Sequence, residues 1–361
     1  MKKIEKAYFI YRCFAEMVLD IKDTYINYLV VEKYHMKQFS YYNASLHFQA
    51  CILNFYAIFQ KFLCKIFRKI LKDNALQYFG SEQILFSKLY KYKYNKTNLI
   101  NDLIEEKINN FTRGTSDISN LCKNLGIINL GALNELKIDY EEFCARRNIY
   151  AHGIDHITKE YLIISNEVNN SWLKDNKLVE NQEYIVHCMN LIYKLFFQLY
   201  YDLDIITKEK IDRSIIESLN TFIYEEFYNK GNWEVSKYIY ARLKNIKCKI
   251  TKANTTLYKQ MYFVNFLHSC KMLGENVVQK IKNIKFRYDY KKYEIVKNAI
   301  LEENKLVYEG IIALQKQNTD INKSISIENV NTWPVFNSFR CSDYYKKLLM
   351  NLSTVSEIKE K

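Results

Sequence analysis

Arg147-Asn148-Ile149-Tyr150-Ala151-His152 brings together a permanent cation, an amide and an imidazole. They lie within YEEFCARRNIYAHGIDHITKEY, the stretch Tyr140 to Tyr161, at the end of an expected helix. Gly153 follows at once and can take the left-handed conformation that stops a helix. At about 100° per residue, Asn148 and His152 share a face about 40° apart, and Arg147 starts about 140° from His152. Its long side chain can swing towards the imidazole. Cleaving RNA without a metal requires three acts: removing a proton from the ribose 2′-hydroxyl, stabilising charge at phosphorus, and protonating the leaving oxygen. His152 can serve as general acid or base, because an unperturbed imidazole titrates near ~6.5. Arg147 can hold the scissile phosphate with its planar fork and stabilise added charge. Asn148 can orient His152 or the phosphate. Arg146 offers a second RNA contact, or is itself the arginine of the motif. The competing expectation is that Arg147 pairs with a carboxylate such as Glu142 and His152 only caps the helix.

The elements that must position these groups read as helices. The chain has 361 residues, one proline and 8 glycines, so long uninterrupted helices are expected. Ile4 to Lys33 predicts one or two, with Phe9, Phe14, Val18, Ile21 and Tyr25 near helical spacing. Ser40 to Lys72 predicts a very apolar helix centred on Leu46, Ala50, Leu53, Ala57, Phe59, Leu63 and Ile66, with the alanines permitting close approach. His47 in that helix reads as a buried structural histidine. Shorter helices are expected over Gln77 to Arg113 and Asp117 to Leu125, and the basic, Tyr-rich LYKYKYNK at Leu89 to Lys96 as a solvated loop. Asp139 and Glu142 suggest a capping box at the start of the motif helix. Beyond it, YLIISNEV (Tyr161 to Val168) and LVENQEYIV around an Asn/Asp/Lys tip predict a small hairpin or irregular loop. Glu180 to Asp204 supplies a further core helix.

The arginine, the polar residue after it, the following His-Gly, and the helices on either side resemble the HEPN superfamily of helical nucleases and nucleotide-binding domains. The resemblance runs loosely over Gln38 to Asp204. It implies that Arg147, Asn148 and His152 form the catalytic set of a metal-independent endoribonuclease of the toxin or anti-phage kind. It also implies a homodimer whose two motifs face each other, since acid and base roles favour two groups. Expected products are a 2′,3′-cyclic phosphate and a 5′-hydroxyl, and DNA, which lacks the 2′-oxygen, is not a substrate. The alternatives are a non-catalytic HEPN module that binds RNA or nucleotide or scaffolds a partner, and the toxin partner of a minimal nucleotidyltransferase antitoxin. In that last group a tyrosine two residues past the histidine is modified; here the place is Ile154, and the chain is longer than those toxins.

The resulting expectation is all-α, with a HEPN-like bundle over residues 1–204 and a helical region over 205–361 for regulation or binding. In the latter, FYNKGNWEVSKYIYARLKNIK reads as helix, Gly-Asn turn and helix, a hairpin that could stack into a solenoid-like array. Further helices are expected at Glu275 to Phe286, Lys291 to Leu314 and Ser342 to Leu352, with a break at Trp333-Pro334. Net charge is +13, a footprint suited to RNA, although lysine-rich composition alone produces it. Nine scattered cysteines without a CxxC pair suggest neither disulfides nor zinc and fit a reducing cytosol. No cofactor or metal is expected, and no HExxH, Walker A or GxGxxG pattern is present. The N-terminus carries charge every few residues and lacks the apolar region of a signal peptide. The apolar helices contain Gln, Lys and His and read as core, with no membrane partner.

Overall fold

A computed structural model describes residues 2–35, 43–73, 90–93, 95–113, 131–154, 156–167, 172–175, 177–202, 213–245, 252–286, 290–316 and 325–359. The chain divides into two compact units, Met1–Ile205 and Ile206–Lys361, both predominantly helical. The first contains α1 (Lys2–His35), α2 (Ala44–Asp73), α3 (Lys96–Arg113) and a 3₁₀ turn (Gly131–Leu136) leading into α4 (Lys137–Ala151). Then come α5 (Lys159–Glu167), a hairpin of β1 (Leu173–Lys174) and β2 (Lys177–Leu178), and α6 (Gln182–Asp202). Asparagines open three of these helices. The side-chain oxygens of Asn43, Asn95 and Asn181 accept from the backbone N–H groups of Leu46 (3.2 Å), Asn98 (3.1 Å) and Tyr184 (2.9 Å). Each bond satisfies a donor that the first turn cannot pair within the helix.

Helix α2 is the hub of this unit and packs against α1, α3, α4 and α6. Its buried face carries Phe48, Cys51, Ile52, Phe55, Tyr56, Phe59, Phe62 and Leu63. By length and composition α2 could cross a membrane, but half of its most apolar window is buried inside the protein. The face expected from Leu46, Ala50 and Ala57 is corrected: all three are exposed. Aromatic rings bury far more area than a methyl group, so the phenylalanines, not the alanines, set which face turns inward. On α1, Phe14, Val18 and Ile21 are buried as expected, while Phe9 and Tyr25 are half-buried.

The run Tyr161 to Val168, expected as extended, is also corrected, because residues up to Glu167 form α5. Thr158 caps it, its Oγ1 accepting from the Tyr161 N–H at 3.2 Å. Tyr161 and Ser165, one helical turn apart, are both buried. Packing of that face overrides the β preference of Leu162, Ile163 and Ile164. The hairpin lies later, pairing Leu173 with Leu178 and Lys174 with Lys177, with Asp175 left-handed (φ 51°) at its tip. The expected capping box at Asp139 is absent. Helix α4 begins two residues earlier, behind Leu136, which makes no side-chain cap, and Glu142 is turned into the core. The helix expected over Asp117 to Leu125 lies outside the described residues, as do Leu89 and Tyr94 of the LYKYKYNK run.

The second unit runs through α7 (Arg213–Ile223), a π-helical turn (Tyr224–Tyr228), α8 (Trp233–Leu243) and α9 (Lys252–Met272). It continues as α10 (Val278–Lys282), α11 (Tyr290–Ile300), α12 (Asn304–Lys316), α13 (Ile327–Thr332), α14 (Asn337–Arg340) and α15 (Asp343–Lys359). The Gly-Asn turn stands where the sequence puts it: Gly231 is left-handed (φ 75°), and Asn232 caps α8 by accepting from Val235 N–H at 3.2 Å. Helices α8 and α9 pack together, as do α11 and α12. The single helix expected over Lys291 to Leu314 is two, broken where Glu302 takes φ 62°. The core here centres on Tyr228, Trp233, Tyr240 and His268. The Tyr228 hydroxyl and His268 Nδ1 are 2.7 Å apart, and Trp333 Nε1 donates to Asn265 Oδ1 at 3.1 Å.

Candidate functional site

Helix α4 ends by a complete left-handed cap. Gly153, at φ 59°, donates to the Tyr150 carbonyl at 3.3 Å, and Ile154 N–H donates to Ile149 O at 3.0 Å. These two bonds satisfy carbonyls that the last turn would otherwise leave open. His152 is the C-cap residue; its N–H still bonds Asn148 O at 3.1 Å, so its side chain is held one turn beyond Asn148. Both side chains are exposed. Arg147 is half-buried, with its guanidinium stacked over the Tyr56 ring of α2 at 3.8 Å and its Nη1 donating to Asn148 Oδ1 at 2.8 Å. A helix C-terminus carries partial negative charge and opposes an anion, so a phosphate brought to this tip needs a cation such as Arg147 to hold it.

Arg146 points the other way, and the RNA contact expected of it is corrected. Its side chain has no exposed surface. Nε donates to Glu142 Oε1 (3.1 Å), Nη1 to Val179 O (2.7 Å), and Nη2 to the Tyr161 hydroxyl (2.7 Å) and Trp172 O (2.9 Å). The guanidinium lies 3.7 Å over the Tyr184 ring. Glu142 is equally enclosed: it accepts from the Tyr161 hydroxyl at Oε1 and from the Tyr184 hydroxyl at Oε2 (2.7 Å). Burial works against the charge on Arg146, but Tyr184, Glu142 and Tyr161 outweigh it and hold the guanidinium protonated. The network ties α4 to α5, to both flanks of the hairpin and to α6. The competing expectation of an arginine paired with Glu142 therefore holds for Arg146, one residue before the one it named.

Two further histidines of this unit have separate places. His47 stacks on Tyr28 at 4.9 Å with Nε2 3.2 Å from the Tyr28 carbonyl, a structural role. His156 is exposed and lines a cleft of about 740 Å³ beside the end of α4. Its walls include Gln49 of α2, Ile149 and Tyr150 of α4, Lys177 of β2, and Glu180 ahead of α6. The cleft was not signalled by any motif, because its residues come from four separated segments. Cys13, Cys51, Cys144, Cys188 and Cys270 are buried thiols; burial pushes Cys51 and Cys144 up to about 12. Among the described residues no group of three or more His, Cys, Asp or Glu is placed to hold a metal ion. No protein-family model, curated protein or solved structure matches the chain.

Proposed function

We propose that this protein is a metal-independent endoribonuclease of the HEPN kind, in which His152 moves protons, Arg147 holds the scissile phosphate and Asn148 orients one or the other. One observation carries the reading: the two neighbouring arginines are divided between roles. Arg146 is consumed by the core, while Arg147 stays at the helix tip, joined to Asn148 and one short segment from exposed His152. In the mechanism a base removes the 2′-proton, the 2′-oxygen attacks phosphorus, Arg147 stabilises the added charge, and an acid protonates the departing 5′-oxygen. One imidazole per chain supplies one of the two proton-transfer roles. A twofold dimer bringing two His152 side chains to a shared cleft supplies both. A non-catalytic RNA-binding module is the second reading, favoured by Arg147 already being engaged with Tyr56 and Asn148.

The deciding experiment incubates the purified full chain with RNA in chelator, beside His152→Ala and beside RNA with a 2′-deoxy nucleotide at the cut site. Cleavage by the wild type alone, leaving a 2′,3′-cyclic phosphate and stopped by the deoxy substitution, is expected. Dependence on added Mg²⁺, or normal cleavage by His152→Ala, overturns the mechanism. A strictly monomeric yet fully active protein in light scattering removes the dimer from it.

A further inference from the structure

We propose that the cleft beside the motif helix is a base-reading subsite for guanine, with Glu180 and Tyr150 meeting the Watson–Crick edge of one RNA nucleotide. It rests on the RNA-cleaving reading above for the polymer that carries the base. At about 740 Å³ the cleft is of the size that small-ligand sites occupy. Tyr150 belongs to the last turn of α4, two residues before His152, so a base seated against it is held next to the proposed chemistry.

Two features of the cleft ask for a ligand of defined hydrogen-bonding pattern. The Tyr150 hydroxyl is buried and makes no hydrogen bond, although Glu180 and Arg146 are close by. Such a group is costly to leave unmade in the interior. Burial, more than any neighbour, pushes its pKa up, so it remains an O–H donor. Glu180 accepts from Gln49 Nε2 through Oε1 at 3.3 Å, and Gln49 is anchored in turn on Ser45 Oγ at 2.9 Å. A carboxylate can accept about four hydrogen bonds, so Glu180 retains capacity for two parallel N–H donors.

A hydroxyl donor beside a carboxylate presents donor, acceptor, acceptor. Guanine presents the complement along one edge: the O6 acceptor, the N1–H donor and the N2–H donor. Adenine and cytosine turn a ring-nitrogen lone pair towards the carboxylate, and uracil turns its O2 there. Each mismatch leaves buried polar groups facing like partners, the arrangement by which a hydrogen-bonding site rejects analogues most strongly. Ile149 and Ile154 give the ring an apolar wall, and Lys177 at the rim supplies a cation for a neighbouring phosphate.

The test uses the full chain and two readouts. Calorimetry compares guanosine, adenosine, cytidine and uridine 3′-monophosphates, and cut sites are mapped on random-sequence RNA in chelator. Guanosine 3′-monophosphate should bind at least about tenfold more tightly than the others, as one good bidentate base contact provides. Glu180→Gln, which replaces an acceptor by an amide donor, should abolish that preference, and Tyr150→Phe should reduce it; melting curves confirm that both variants are folded. If the four nucleotides bind alike or none binds, or if both variants keep the preference, the subsite does not exist. Guanine-selective binding without any RNA cleavage upholds the subsite and overturns the nuclease. Cleavage with no base preference in binding or in cut sites does the reverse.

Discussion

Arg146 and Arg147 are consecutive in sequence and differ in almost everything else. The 100° between them on the helix sends one into a closed network of two tyrosines, a glutamate and two carbonyls, and the other to the rim over Tyr56. The interior arginine is satisfied by geometry that allows little movement. The rim arginine has one printed side-chain partner, exposed Asn148, and a ring to slide on. A helix can thus hold a rigid strut and an adaptable ligand contact side by side, and the strut fixes where the contact is presented. Histidine repeats the contrast between the two units: His152 is exposed at a helix end, while His268 is buried in an aromatic core.

The contrast is broken most directly by activity. Arg147→Ala and His152→Ala should each lower RNA cleavage by about a hundredfold or more, the usual cost of losing a charge-stabilising donor or a general acid-base. Their melting temperatures should move by only a few degrees, since neither removes a core contact. Should either variant unfold, the tip is structural and the division of roles disappears.

The mirror-image result belongs to Arg146. Arg146→Ala leaves Glu142 buried and unpaired, and should destabilise the first unit by about 3–5 kcal/mol. Chemical denaturation should show this as a lower midpoint, and a near-normal midpoint would mean that the buried network contributes little. Tyr184→Phe, which removes a single hydrogen bond to Glu142, should produce a smaller loss in the same direction.

The histidine contrast is sharpened by pH. Burial first, and nearby Lys271 second, depress His268 to about 4 from an ordinary 6.5. Between those values the unfolded chain binds a proton that the folded unit refuses. The associated stability is therefore complete above the unfolded value and is lost as pH falls through about 4. The full swing is on the order of 3 kcal/mol. Acid denaturation of wild type against His268→Phe checks it: the variant's stability should fall less steeply between those pH values, and parallel curves would contradict a buried neutral imidazole.

The smallest effect is expected at Gly153. An added Cβ meets nothing within 4 Å, so Gly153→Ala suffers only from its left-handed φ of 59°. That should cost about 1 kcal/mol and lower the melting temperature by a few degrees. If cleavage falls far more than stability, the cap itself aims His152, which ties the tip to the strut behind it.

Helical character was legible throughout, because one proline in 361 residues leaves periodicity uninterrupted. The end of the motif helix was legible too, since His152-Gly153 carries the cap chemistry in its own residues. Glu142 and Arg146 stood four apart, so an ion pair on the helix could be read. That the pair is interior could not, because burial was decided by Tyr161 and Tyr184, fifteen and thirty-eight residues beyond Arg146. For the same reason the β-prone Leu162-Ile163-Ile164 became a helix: its conformation answers to the arginine waiting for Tyr161. The sequence by itself determined the local chain, its helices, caps and the inventory of reactive groups, since these depend on neighbours within a turn. Only the tertiary structure decided which of two adjacent arginines faces water, and it assembled a cleft from Gln49, Tyr150, Lys177 and Glu180. Exposure and shape are properties of contacts between distant segments, and no local pattern encodes them.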